Sequence, residues 1–181
     1  MPSIPLFTGN HIRLGAFRPE DAETAAHWTE DAEFQRQLDT DFAHPATAQE
    51  QAEMLNSRRS PNSVNFALRT LDGDRLIGFV VIHSIEWNNQ SGTLAIGIGE
   101  PEFRGRGLGG EALTLILNYA FNELNLHRVG LDVISTNERA IRAYRKAGFK
   151  EEGRMRESVY RDGRCADRVR LSILRDQYGP G

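Results

Sequence analysis

The spacing of apolar residues switches between a period of two and a period near that of a helix, and the switches divide the chain into strands and helices. His11 to Phe17 alternates Ile12, Leu14 and Ala16 and predicts a first strand. Arg18-Pro19-Glu20-Asp21 opens a helix, with Pro near the first turn and acids beside the positive end of the dipole. A second helical stretch runs to about Leu38, and Thr47-Ala48-Gln49-Glu50, a capping box, starts another that stops before Ser60-Pro61-Asn62. From Val64 the period is two. Val64 to Leu71 and Leu76 to Ile85 form a hairpin about Asp72-Gly73-Asp74, and Trp87 to Gly92 leads to a third strand at Thr93 to Gly99.

Helical spacing returns over Leu108 to Leu124, Arg128 to Ile134 reads as a strand, and Asn137 to Ala147 reads as a helix stopped by Gly148. Phe149 to Tyr160 and Arg164 to Leu174 close the chain as a hairpin about Arg161-Asp162-Gly163. The order is mixed α/β (α+β): a mostly antiparallel sheet with one helical crossover on each side of the Arg128 strand.

Between the third strand and the long helix lies Arg104-Gly105-Arg106-Gly107-Leu108-Gly109-Gly110, with four glycines in seven positions. Glycine lets the backbone approach a ligand closely, and the helix behind it offers unpaired N–H groups to an anion. The stretch predicts a phosphate-binding turn, and the two arginines add charge. A P-loop requires Lys followed by Ser or Thr after its last glycine, and here Gly110 is followed by Glu111. A dinucleotide fold places its glycines after the first strand of a parallel array, whereas this loop follows a meander past mid-chain.

The chain has 181 residues, 39% of them hydrophobic and 26% charged, and a net charge of -3, which suits one domain spanning residues 1–181. No run approaches a bilayer span and the N-terminus lacks a leader pattern, so a cytoplasmic protein is expected. Cys165 is the only cysteine; it is read as a half-buried strand residue rather than a nucleophile. His83 and His127 are read as strand residues without partners at metal-ligand spacing, so no metal is expected. Residues 19–62 carry ten acids against three bases, and residues 138–176 carry twelve bases against seven acids. An acidic segment lining a cleft attracts a cationic substrate; the same acids also suit solvated helix faces. The negative total speaks against nucleic acid.

Arg104, Gly107 and Gly109 match the signature of the GNAT superfamily of acyl-coenzyme A N-acyltransferases: Gln or Arg, two residues, Gly, one residue, then Gly or Ala. Asn137-Glu138-Arg139-Ala140-Ile141-Arg142-Ala143-Tyr144-Arg145-Lys146-Ala147-Gly148-Phe149 resembles the family's second signature. The chain is similar to that family over nearly its whole length, closest to the branch that acetylates ribosomal proteins and polyamines. The resemblance implies a six- to seven-stranded sheet flanked by about four helices, with a V-shaped splay at its central strands. It also implies acetyl-coenzyme A as acyl donor, a cationic primary amine as acceptor, direct transfer through a ternary complex, and a homodimer.

The resemblance assigns roles as well. Gly97, Ile98 and Gly99 would pair with the pantetheine arm, with the amide of Ile98 or Gly99 polarising the thioester carbonyl. A β-bulge is the other reading of these glycines. Residues Arg104, Gly105, Arg106, Gly107, Leu108, Gly109 and Gly110 would cradle the pyrophosphate, and Asn137 would contact pantetheine. Tyr144, two helical turns past Asn137, would protonate the leaving thiolate. Asp132 or Glu86 would receive the amine's proton, or each would bind the cationic acceptor or form a structural ion pair. Relatives in this branch carry Glu where this chain has Leu94, which leaves the acceptor open. The alternative function is a non-catalytic acyl-coenzyme A sensor.

Overall fold

The protein is described by a computed structural model over residues 5–57 and 60–179, without the side chain of Ser57. Residues 1–4, part of the N-terminal leader reading, lie outside that range. Among the described residues the strands form one sheet in the order β1-β2-β3-β4-β5-β7-β6. These are β1 (Ile12–Gly15), β2 (Val64–Thr70), β3 (Leu76–Glu86), β4 (Ser91–Ile98), β5 (Arg128–Ile134), β6 (Lys150–Arg161) and β7 (Arg164–Leu174). The helices are α1 (Asp21–Thr29), α2 (Ala32–Leu38), α3 (Ala48–Ser57), α4 (Leu108–Asn118) and α5 (Glu138–Lys146), one more than the family resemblance implies. The extra helix arises because Asp31 caps α2 separately, its carboxylate accepting the Phe34 N–H at 3.0 Å. No helix is long and apolar enough to cross a membrane among the described residues.

Consecutive strand residues face opposite sides of a sheet, and this chain uses both sides. Leu68 belongs to a large core under α4 and α5, whereas its neighbour Ala67 packs with Ala25 and Trp28 of α1 in a smaller one. The capping box forms as expected: the Thr47 N–H donates to Glu50 Oε2 at 2.7 Å and the Glu50 N–H to Thr47 Oγ1 at 3.2 Å. Asp21 does more than complement a dipole. It is buried, accepts the Arg18 N–H at 2.7 Å and pairs with buried Arg69 at 2.5 Å, tying α1 to β2.

Four local expectations change. β4 starts at Ser91, so the link from β3 is a tight turn. The long helix ends at Asn118 and continues as a π-helical segment, Tyr119–Glu123, whose apolar positions fit the wider spacing equally well. Cys165 is exposed, because the far end of the β6–β7 hairpin extends beyond the core, and His127 lies in the turn before β5.

All neighbouring strands are antiparallel except β4 and β5. A parallel pair needs a crossover, supplied here by α4. β4 and β5 pair only at Ser91, Gly92 and Thr93 with Arg128, Val129 and Gly130. Beyond those residues the two strands separate, which is the V-shaped splay. One arm of the V is braced by Glu152, which accepts two bonds from Arg128 and one from the Ser172 hydroxyl at 2.7 Å. The Arg128 guanidinium holds the Glu152 carboxyl down at about 2 against an ordinary 4.5. A carboxylate depressed in the fold contributes stability that is complete above its unfolded value and is lost as pH falls toward the folded one. Glu152→Gln is therefore expected to flatten the loss of thermal stability between about pH 4.5 and pH 2.

Candidate active site

The glycine loop is built around Gly105 and Gly107, with φ of 78° and 82°, a left-handed conformation that costs other residues strain. This winding turns successive amides to one side. The N–H groups of residues 105 to 109 have no acceptor among the described residues, whereas those of Gly110 and Glu111 both donate to the Gly107 carbonyl. A run of orphan amides at the positive end of α4 is a concavity for an anion. A Cβ placed on Gly107, Gly109 or Gly110 meets nothing within 4 Å, so these glycines keep space open for something other than the protein. Both observations fit a diphosphate group.

From this loop a cleft of about 400 Å³ runs into the V. Its walls include Ile96, Gly97 and Ile98 of β4, Phe34 and Leu38 of α2, and a stripe of α5. The stripe follows from helical spacing: Asn137, Ala140 and Tyr144 fall on one face. Asn137 caps α5, its Oδ1 accepting the Ala140 N–H at 3.2 Å, which leaves its amide nitrogen to donate into the cleft. Tyr144 packs on Phe149 with ring centroids 5.7 Å apart, and its hydroxyl has no partner among the described residues. Burial pushes the phenol up to about 12.

β4 presents its backbone to the cleft at alternate residues. The Gly99 N–H donates to the Ile77 carbonyl at 2.9 Å, so Gly99 belongs to the β3 side of the ladder. Alternation then turns the Ile96 and Ile98 amides away from β3 into the open V. Of the two amides expected to polarise a thioester, Ile98 is available and Gly99 is not. Nor is there a bulge here, since β4 stays in register with β3 through Gly97 and the irregularity lies between His83 and Glu86. Gly97 and Gly99 are glycine for packing: a Cβ on Gly97 meets Phe34 at 3.0 Å, and one on Gly99 meets the Trp28 ring at 2.1 Å.

Several side chains are placed differently from expectation. The Arg104 guanidinium turns inward, donating to the Ile98 carbonyl at 2.9 Å, the Gly99 carbonyl at 2.5 Å and Asp31 at 2.7 Å, over the Phe34 ring at 4.7 Å. It fastens α2 to the end of β4 rather than reaching a phosphate. The Phe34 amide and the Arg104 guanidinium hold Asp31 below its usual range. Leu108 buries its side chain in the core and offers only its amide to the loop. Arg106 is exposed, with its guanidinium 5.5 Å from the centre of the Phe103 ring.

The two carboxylates fare differently. Glu86 sits at the turn end of β3, paired in register with Ser91, and accepts the Asn89 amide at 2.5 Å. The cleft lies at the other end of β4, about 20 Å away at strand rise, so Glu86 does not reach it. Asp132 stands two residues past Gly130, the last paired residue of β5, where the V opens, but its carboxylate is paired with Arg170 at 2.9 Å. Neither carboxylate lines the cleft. Arg139 does; it is exposed beside Gly105 and has no ion-pair partner among the described residues. Its place between Asn137 and Tyr144 was legible, but its aim toward the glycine loop depends on how α5 is docked. Arg139→Ala is expected to weaken coenzyme A binding about tenfold at low salt, and less at high salt, as read by calorimetry.

Residues 11–150 match the acetyltransferase (GNAT) domain family. The chain belongs to the GNAT acetyltransferase family. Members of this family use acetyl-coenzyme A as acyl donor, and the orphan amides and open glycine cradle fit that molecule's diphosphate. This GNAT chain is 36% identical over 103 residues to spermidine N(1)-acetyltransferase of Vibrio cholerae, an alignment covering 57% of this chain and 59% of that protein. It thus aligns with under two thirds of that relative's length. It is 25% identical over 178 residues to an uncharacterized N-acetyltransferase, YokL, of Bacillus subtilis, covering 97% of each. A crystal structure of the V. cholerae spermidine N-acetyltransferase in complex with CoA and spermine superposes with a TM-score of 0.84, at 26% identity, covering 92% of this chain and 97% of that one. The splayed seven-stranded sheet is thus the fold of that enzyme as well.

Proposed function

We propose that this GNAT chain, as one catalytic domain, transfers acetyl directly from acetyl-coenzyme A to the primary amine of a cationic acceptor. The reading rests chiefly on one observation: a row of amides at residues 105 to 109 opens a cleft lined by the Tyr144 side chain, and neither those amides nor the Tyr144 hydroxyl has a partner among the described residues. Acetyl-coenzyme A supplies the activated acyl group. The chain's residues bind and orient it: the loop amides hold the diphosphate, Asn137 and the Ile96 and Ile98 backbone hold the pantetheine arm, and the Ile98 N–H polarises the carbonyl. A phenol pushed as high as Tyr144 is a weak acid. It therefore serves as a hydrogen-bond donor that stabilises charge on the departing sulfur, completing proton transfer only as the bond breaks.

Among the described residues no carboxylate lines the cleft, and Asp132 spends its charge on Arg170. The acceptor amine loses its proton to water. An amine acceptor accords with the spermidine acetyltransferase relatives and with the acidic N-terminal helices. Of those acids, Asp21 and Asp31 are occupied by Arg69 and Arg104, which leaves Glu33, Asp39 and Asp41 around α2 to draw in a cation. The test is release of coenzyme A from acetyl-coenzyme A over a panel of spermidine, peptides with free N-termini, and aminoglycosides. Turnover with an amine is expected, and binding of the donor without turnover on any amine would leave a sensor.

A further inference from the structure

Two arginines bury a side-chain Nε that has no acceptor among the described residues, Arg69 and Arg168. Arg69 is otherwise engaged: its terminal nitrogens donate to the Asp21 carboxylate at 2.6 Å and to the Asp74 carbonyl at 3.2 Å. Arg168 is not. Half-buried on β7, it makes no hydrogen bond and no ion pair among the described residues. A guanidinium drawn out of water without an anion is costly, and its planar fork of donors fits a carboxylate bidentately. The remedy is an anion brought by a ligand.

Strand register fixes where Arg168 stands. It pairs with Ile134 of β5, as Arg170 pairs with Asp132, so all four side chains share one face of the sheet. Through the pair Thr93 and Gly130 that face is also the one of Gly97, whose Cβ would strike Phe34 and Leu38 of α2. Counted on from Thr93 and Gly130, the parallel register brings Ile134, and Arg168 beside it, level with Gly97 and next to the level of the Ile98 amide, across the open V. α2 bridges that gap. It packs on both β4 and β5, and its C-terminal end is tied to the tip of the β6–β7 hairpin, by Arg36 with Asp162 at 2.7 Å and by Arg161 donating to the Asp39 carbonyl at 2.8 Å. Of the arginines on this face of β7, Arg170 is spent on Asp132 and Arg164 stands exposed near the tip. Of the three, Arg168 alone joins a buried Nε to the lack of any partner among the described residues.

We propose that Arg168 is an anion subsite for the acceptor, and that the acceptor is an aminocarboxylate: a primary amine with a carboxylate a few bonds away. This rests on the acetyl-transfer reading above and narrows its acceptor. The carboxylate takes paired N–H bonds from the Arg168 guanidinium, and the amine faces the thioester at the Ile98 amide. β7 lies two strands over from β4, on the order of 10 Å before the splay adds to it, so a short chain between amine and acid suits the gap better than the single carbon of glycine. Both an amino acid and a peptide with an acidic first residue present these two groups. The transfer itself is unchanged: the N–C bond to the acetyl carbon forms as the C–S bond breaks, the ammonium's proton goes to water, and the proton shed on acylation replaces the one Tyr144 gives the sulfur. Coenzyme A and the N-acetyl acid are the products.

The probes are 4-aminobutyrate, its neutral amide, and 1,4-diaminobutane, with a pair of peptides that begin with Glu or Gln. Coenzyme A release is expected to show kcat/KM for 4-aminobutyrate about tenfold or more above the amide and the diamine. Arg168→Gln is expected to erase that preference, chiefly through a KM for 4-aminobutyrate raised about tenfold, and Arg168→Lys to restore part of it. Melting temperature and coenzyme A affinity, read on the same variants, show that the fold and the cofactor cleft are intact. The peptide pair separates the sources: a preference for Glu over Gln without one for 4-aminobutyrate assigns the subsite to a peptide acceptor. No preference in either pair, or a preference that survives Arg168→Gln, overturns the proposal while turnover of the amines leaves acetyl transfer standing. Calorimetry of 4-aminobutyrate needs no turnover. Binding that Arg168→Gln abolishes, with no amine acetylated, would sink the acetyl-transfer reading and leave the anion subsite.

Discussion

Tyr144→Phe is expected to lower kcat by about 10²- to 10³-fold while coenzyme A affinity stays within about twofold. The substitution removes one oxygen and keeps the ring that packs on Phe149, so the cleft wall and α5 remain in place. What disappears is the one tyrosine hydroxyl that lines the cleft among the described residues, the group that the proposed mechanism sets against the leaving sulfur. An interaction made only as the C–S bond breaks affects kcat and spares binding. The pH profile supplies an independent reading. With the phenol pushed to about 12 and no carboxylate in the cleft among the described residues, kcat/KM should climb as the acceptor amine deprotonates and show no alkaline fall below about pH 10. An alkaline limb near pH 8 to 9 that vanishes in Tyr144→Phe would show instead a phenol of ordinary or lowered pKa acting as a full proton donor.

Gly109→Leu is expected to weaken coenzyme A binding by at least about 100-fold, roughly 2.7 kcal/mol, without loss of fold. Binding and stability should move in opposite directions. Gly109 lies in the first turn of α4, where leucine is a better helix former than glycine by just under about 1 kcal/mol. A side chain there meets no protein atom within 4 Å of its Cβ, so it projects into the space that the orphan amides face. Equilibrium binding together with thermal denaturation separates this from damage: a lower melting temperature with intact affinity contradicts the assignment of the loop. Gly97 and Gly99 show the contrast, because a side chain at either one strikes aromatic rings of the N-terminal helices.

Much of the architecture was legible because it is local. The capping box at Thr47, the two-residue period of β2 and β3 and the Gly148 stop each depend on a few neighbouring residues. The glycine loop was legible for the same reason: its positive φ values and its seat at a helix start follow from residue type and position. The stripe of Asn137 and Tyr144 followed from helical spacing once α5 was assigned. Less legible were the side chains whose partners lie far away in sequence. Arg104 looks like a phosphate ligand until Asp31, 73 residues away, is found holding it. Asp132 looks like a base until Arg170 appears opposite it, and Glu86 looks equivalent to Asp132 until β3 carries it to the wrong end of the sheet.

The sequence by itself therefore determined the strand and helix order, the left-handed glycine loop and the helix face that carries Tyr144, since these are set by short-range sterics and periodicity. Only the tertiary structure decided where the sheet splays, which amides remain unpaired and which charges are already spent. Those outcomes depend on strand register and on contacts between residues tens of positions apart, and no local pattern encodes them.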